Sequence, residues 1–136
     1  MYLLDTNACI ALINNTVPSV RTRFQKAVAA DAKVYVSAVI AFELWYGVGK
    51  SARNESNVRI VETFLNGRAS LLPFDFEDAK VAGRLRATLE AIGKPIGAYD
   101  VLIAAQALRH QLTLVTANVR EFRRVKGLKW EDWTKE

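Results

Sequence analysis

What this 136-residue chain has least of narrows its chemistry first. It carries one cysteine, Cys9, and one histidine, His110. A lone cysteine excludes an internal disulfide and points to a reducing compartment. Two softer ligands are also too few for a protein zinc site of the usual type. His110 falls near the end of a helical pattern and reads as a surface or capping residue rather than a general base. No apolar run reaches the length of a membrane span. The opening segment lacks the basic start of a signal peptide, and Asp5 interrupts its first apolar run. A cytoplasmic protein with no membrane partner is expected. With no internal repeat, low-complexity tract or linker, and 51% hydrophobic residues, residues 1–136 are expected to form a single domain around one core. The charge imbalance is small, with 19 Lys and Arg against 14 Asp and Glu, a net +5. That excess is compatible with an anionic partner such as nucleic acid without requiring one.

What is there alternates between short apolar runs and longer helical patterns. Met1 to Leu4 reads as a strand buried on both faces, and Ala8 to Ile13 as the helix after it. Asn14 to Pro18 forms a turn, with Pro18 placed in a first helical turn. Val20, Phe24, Ala27 and Val28 make the stripe of the next helix. Lys33 to Val36 is a strand. Ser37 is the expected N-cap of a helix from Ala38 to Val48, stopped by Gly49 and Lys50. Val58, Val61, Phe64 and Leu65 mark an amphipathic helix ended by Gly67, and Ser70 to Pro73 a short strand. Asp75 caps a helix with the stripe Ala79, Ala82, Leu85, Leu89 and Ile92, ended by Gly93. A helix from Ala98 to Arg109, a strand from Leu112 to Thr116, a short helix from Val119 to Arg124 and an edge strand at Leu128 to Trp130 complete the chain. Strands separated by helices predict an α/β fold, a mainly parallel sheet covered on both faces and joined by right-handed crossovers.

Three acids stand in places where acids are costly. Asp5 ends the first strand, and the carboxyl edge of a parallel sheet is where ligands bind; capping the following helix is its alternative role. Glu43 lies within Val39 to Gly47, a helix apolar nearly all round, which predicts a buried element. A carboxylate there needs a proton, a cation or an Arg partner. Asp100 stands before Val101 to Ala105, near a helix start where an acid also complements the dipole. If the strand end meets the two helix starts, the three form a dense negative cluster whose natural counter-ion is a hard divalent cation, Mg²⁺ or Mn²⁺. Acids holding such an ion in a basic protein point to phosphodiester hydrolysis.

A fourth member is expected from Thr116-Ala117-Asn118. This turn follows its strand as Asp5-Thr6-Asn7 follows the first, so Asn118 is either a ligand through its amide oxygen or a turn residue. Thr6, Asn7 and Thr116 are expected to hold ligands and water by hydrogen bonds. Arg84, Arg86, Lys94, Arg120, Arg123, Arg124, Lys126 and Lys129 are candidates for phosphate contacts or solvating surface. Phe42, Trp45 and Tyr46 either pack the core or, with Val58, Val61 and Phe64, line a groove for an apolar partner helix. Leu128 to Trp130 and Trp133 are read as terminal packing. A metal-independent nucleic-acid binder would explain the charge but not the acids. A metal-dependent DNA nuclease or phosphatase would share them. A response-regulator receiver domain requires an acid pair near the first strand end and a Lys on a late strand, and the chain has neither.

Taken in order, Asp5-Thr6-Asn7, Glu43 in the Ser37 to Gly47 helix, Pro95-Ile96-Gly97-Ala98-Tyr99-Asp100 and Val115-Thr116-Ala117-Asn118-Val119-Arg120-Glu121-Phe122 resemble the PIN domain. The tail Gly127-Leu128-Lys129-Trp130-Glu131-Asp132-Trp133 narrows the likeness to VapC toxins of bacterial type II toxin–antitoxin modules. The resemblance spans essentially the whole chain. It implies a three-layer α/β/α sandwich, a metal-dependent endoribonuclease, a homodimer and inhibition by a cognate VapB antitoxin. It places Asp5, Glu43 and Asp100 at the family's three acidic positions and Asn118 where many PIN domains have a fourth acid. It also implies structured RNA as substrate, with transfer RNA foremost.

Overall fold

The computed structural model describes residues 1–135. β1 (Tyr2–Leu4) is followed by α1 (Thr6–Asn14) and α2 (Pro18–Ala29), and β2 (Val34–Ser37) by α3 (Ala38–Lys50) and α4 (Asn54–Leu65). After β3 (Ser70–Leu72) come α5 (Phe76–Ala91) and α6 (Ala98–His110), then β4 (Thr113–Val115), α7 (Val119–Phe122) and β5 (Trp130–Glu131). The strands form one sheet in the order β3-β2-β1-β4-β5, and every pairing is parallel. Parallel strands require crossovers, and the helices supplying them cover both faces in a three-layer α/β/α arrangement. Leu3 and Leu4 point to opposite faces and both are fully buried, which is why β1 is apolar at consecutive positions.

The chain steps outward from β1 to β2 and β3, then returns across the sheet to β4 on the other side of β1. Right-handed crossovers therefore place α1 to α4 on one face and α5 and α6 on the other. β1 and β4 are the switch point, and the crevice above their carboxyl ends is where ligands of open α/β sheets bind. Leu4 pairs with Val115, so Asp5 and Thr116 emerge side by side, as expected from their matching turns. The Asp5 N–H donates to the Val115 carbonyl at 3.0 Å.

The helix starts follow their side chains. Ser37 caps α3 by accepting from Val39 N at 3.0 Å. Asp75 and Asp78 form a reciprocal capping box on α5, and Pro18 opens α2. Trp133 is buried against Tyr2 with ring centroids 5.2 Å apart, as terminal packing predicts, whereas Lys129 and Trp130 of the same expectation are exposed.

Several expectations need correction. α3 runs through Gly49 to Lys50 rather than stopping at Val48, because nothing after the glycine competes with continued helical bonding until Ser51. Nor is α3 buried all round: Ile40, Leu44 and Val48 face the core, while Phe42, Trp45 and Tyr46 are 52%, 37% and 60% exposed. Val61, expected in a partner groove, is a core residue that also forms part of the floor of a hollow between α1, α3 and α4. Ala79 and Ile92 lie outside the buried stripe of α5, which runs through Asp78, Ala82 and Leu89. The last strand is Trp130–Glu131, shifted toward the C-terminus by pairing with Leu114 and Val115. No described helix is long and apolar enough to cross a membrane.

Candidate metal and nuclease centre

Asp5 sits where β1 gives way to α1, and its side chain accepts from Ala8 N at 2.8 Å. It is therefore the helix N-cap and also a buried acid, 7% exposed, at the sheet's carboxyl edge. Burial raises its pKa above the ordinary carboxylate range, against the Ala8 N–H and Thr116 hydroxyl that favour the ionised form, with help from the nearby charges of Glu43 and Asp132. Thr6, the next residue, donates its hydroxyl to Glu43 Oε1 at 2.9 Å. The two-residue step from Asp5 into α1 thus tethers the acid of α3 to the end of β1.

Asp100 lies in the first turn of α6. Its pKa is pushed up to about 7, first by burial, then by a hydrogen bond and charge from Glu121, then by the charges of Glu43 and Asp5. Glu121 was not singled out as a site residue from the sequence. Against burial, the Gly97 N–H, the Asn118 amide, the Asp100 carboxyl and the Arg124 charge hold its pKa below the usual range. The two carboxyls are thus pushed in opposite directions, Asp100 upward and Glu121 downward. Gly97 makes the approach possible: a Cβ there would lie 3.1 Å from Asp100 Oδ2 and 3.4 Å from Glu121 Oε1.

Asn118 is exposed, and its Nδ2 donates to Glu121 Oε2 at 2.9 Å. Thr116, fully buried, accepts from Asn118 N at 2.9 Å. The turn after β4 therefore aims Asn118 at an acid one helical turn on. That acid is Asn118 plus three, the usual position of a helix-capping carboxylate, so its spacing carried a ready structural reading that concealed it. Asn7 is exposed and lines a separate cavity beside Asp5 rather than touching the other acids.

The four carboxylates share one electrostatic neighbourhood, and their chemistry suits a hard cation: all oxygen donors, two with raised pKa values, and too little opposite charge among themselves. Among the described residues, no three His, Cys, Asp or Glu side chains are already drawn tightly enough to enclose an ion.

Basic residues divide by position. Lys94, Arg120, Arg123 and Arg124, with Gly93, line an open cavity of about 490 Å³, and Arg124 Nη1 donates to the Pro95 carbonyl at 2.7 Å, two residues from Gly97. Arg86 is paired with Glu90 on the surface of α5. Arg84 and Lys126 are exposed and do not line that cavity. On the other side of the acids, Ile10, Ile13, Glu43, Gly47 and Ile60 line a hollow between α1, α3 and α4. Phe64 lines its neighbour with Arg59 and Thr63, and the exposed aromatics of α3 lie on the same helix as Glu43. Phe42 also meets Tyr99 of α6, with centroids 5.7 Å apart.

Comparison with known proteins agrees with this architecture. The PIN domain pattern matches residues 2–128. The chain is 41% identical over 133 residues to a "tRNA(fMet)-specific endonuclease VapC" of Shigella flexneri, covering 98% of each. It is 36% identical to "Ribonuclease VapC2" of Rickettsia felis, covering 99% of each. Among solved structures, VapBC2 from Rickettsia felis bound to a promoter DNA fragment superposes with a TM-score of 0.90 at 36% identity, covering 97% of this chain and 98% of that one. DNA-bound VapBC from Salmonella typhimurium gives 0.89 at 39% identity, covering 97% of each.

Proposed function

Because the chain belongs to the PIN-domain family and, within it, to the VapC toxins, we propose that Asp5, Glu43, Asp100 and Glu121 form the centre at which it hydrolyses RNA with Mg²⁺ or Mn²⁺. The protein is the toxin of a type II toxin–antitoxin module and an endoribonuclease. The observation that carries the assignment of its centre is the meeting of Asp100 and Glu121 within the electrostatic reach of Asp5 and Glu43, above the switch point of the sheet.

Asp5, Glu43 and Asp100 would hold the ion, with Glu121 completing the oxygen set and Asn118 fixing Glu121. When bound, a divalent cation supplies Lewis-acid polarisation of the phosphate and acidifies water. The chain's own residues do the rest. Ala8 N–H and Thr116 fix Asp5, Thr6 fixes Glu43, and the Asn118 amide and the Gly97 N–H fix Glu121 beside Asp100. Water attacks in line, leaving a 5′-phosphate and a 3′-hydroxyl. Structured RNA is the substrate class, with transfer RNA foremost, the substrate named for the Shigella relative.

The partner is a VapB-type antitoxin. The exposed Phe42, Trp45 and Tyr46, and the hollow lined by Ile10, Ile13 and Ile60, offer it an apolar surface leading to Glu43. A homodimer in the cytoplasm, where RNA and antitoxin are found, completes the reading; light scattering then gives twice the 15.2 kDa chain mass.

The test is antitoxin-free protein incubated with total RNA in Mg²⁺, in Mn²⁺ and in EDTA, beside Asp5→Asn. A discrete cut that needs metal and vanishes in the folded variant is expected. Full activity of Asp5→Asn, or an undiminished cut in EDTA, would remove the assignment.

A further inference from the structure

We propose that the small cavity beside Asp5 receives one base of the RNA next to the cut, and that it takes cytosine in preference to uracil. The inference rests on the nuclease reading above and adds a base-reading site to it.

The cavity, about 170 Å³, opens between α1, the start of α2 and the C-terminal segment. Ala8, Ala11, Val17, Val20, Val115 and Trp133 contribute apolar wall. An apolar cavity of about 150 Å³ in another protein accepts a benzene ring, so this space admits one six-membered ring. RNA is read mainly where single-stranded bases splay out and enter such pockets.

Three features select the occupant. Asp5 is both a wall of the cavity and a member of the acid cluster, so a ring lodged there lies beside the acids. Asp132 lies on the same lining, half-buried, and is close enough for its charge to bear on Asp5. Its Oδ1 accepts from Thr134 N at 2.9 Å and from the Thr134 hydroxyl, which fixes the carboxylate in place. The Asp132 carboxylate disfavours a phosphate or an acidic peptide inside the cavity and favours a neutral ring that presents N–H donors. Cytosine offers its N4 amino group to a carboxylate, whereas uracil puts an acceptor oxygen at that position. Asn7 supplies an amide at the same lining. The hollow open to an apolar partner helix lies toward α3 and α4, lined by Ile13, Gly47 and Ile60.

The first test needs no catalysis. Metal-free ¹⁵N-labelled protein is titrated with cytidine, with uridine and with ribose, following the Trp133 indole N–H and the Ala8 and Ala117 amides. Cytidine should shift these signals with an affinity about tenfold or more above that of uridine, and ribose should leave them in place. Unmoved signals with cytidine, or equal shifts with ribose, overturn the proposal. The second test compares RNA hairpins differing only by C or U beside the cut, using wild type and Asp132→Asn. The variant should lose the preference for C in kcat/KM by about tenfold. A uniform change in rate with the C:U ratio intact overturns the base contact. Should wild type cut neither hairpin, the nuclease reading fails, while the nucleoside titration still decides the cavity.

Discussion

At the scale of single residues, two acids, one buried and one half-buried, are held in opposite ways. Asp78 is buried, which opposes its charge, yet the Asp75 N–H, Arg109, Gln106 and His110 lower its pKa below 3.8. Its contribution to stability is complete above that value and is lost as pH falls through the lowered pKa. Asp100 has the reverse sign. Between pH 3.8 and about 7 the metal-free folded state keeps a proton that the unfolded chain has released, so this group makes stability fall as pH rises through that window. Asp100→Asn should flatten that part of the melting-temperature profile of EDTA-treated protein. Mg²⁺ should raise the melting temperature of wild type more above pH 7 than below it, because cation and proton compete; an equal rise at both ends would contradict the site. Glu121 and Asn118 can be ranked the same way. Glu121→Gln should reduce kcat by about a hundredfold, as loss of an electrostatic group at the reacting centre does. Asn118→Ala, which removes one donor from that acid, should cost about tenfold; the reverse order would make Asn118 the ligand.

Among elements, α3 carries two incompatible demands. Its Ile40, Leu44 and Val48 face is core, while Phe42, Trp45 and Tyr46 stand in solvent beside Glu43. Apolar side chains on both faces of one helix indicate two surfaces to be covered, only one of them by this chain. Tyr46→Ala should therefore leave folding stability within about 0.5 kcal/mol of wild type, as exposed positions usually do, and Trp45→Ala, at a position covered for most of its surface, should cost about 1 kcal/mol. They should weaken antitoxin binding by tenfold or more, as anchors in an interface do. Calorimetric titration of each variant with the cognate antitoxin, beside a thermal melt, reads both quantities. Unfolding of the variants, or unaltered affinity, would return these aromatics to a packing role.

Across the whole molecule, the excess of +5 is not spread evenly. Four acids occupy the carboxyl edge of the sheet, and four cations, Lys94, Arg120, Arg123 and Arg124, ring a cavity beginning near Gly97. An RNA strand crossing the acids would find its neighbouring phosphates opposite those cations. If all four contact phosphate, the logarithm of RNA affinity should fall with the logarithm of salt at a slope of about −3 to −4. Replacing the four with alanine should flatten that slope by about three; a slope unchanged in the variant would reduce these residues to solvating surface.

The sequence by itself determined the parallel α/β class, the order of its elements and the isolation of Asp5, Glu43 and Asp100 on apolar segments. Each of these is a local signal: a doubly buried strand such as Leu3-Leu4, a cap such as Ser37 or Asp75, an acid with no charged neighbour within a turn. Tertiary structure decided which groups touch, although the matching turns already suggested that those after β1 and β4 lie side by side. Pairing of β1 with β4 puts Asp5 beside Thr116 across more than a hundred residues. The fold of the Gly97 turn onto α7 makes Glu121 the partner of Asp100, although its spacing from Asn118 reads as a helix cap. Exposure of the α3 aromatics was illegible for the same reason. A hydrophobic pattern records how much surface must be covered, and only the packed sheet and its helices show which part the chain covers itself.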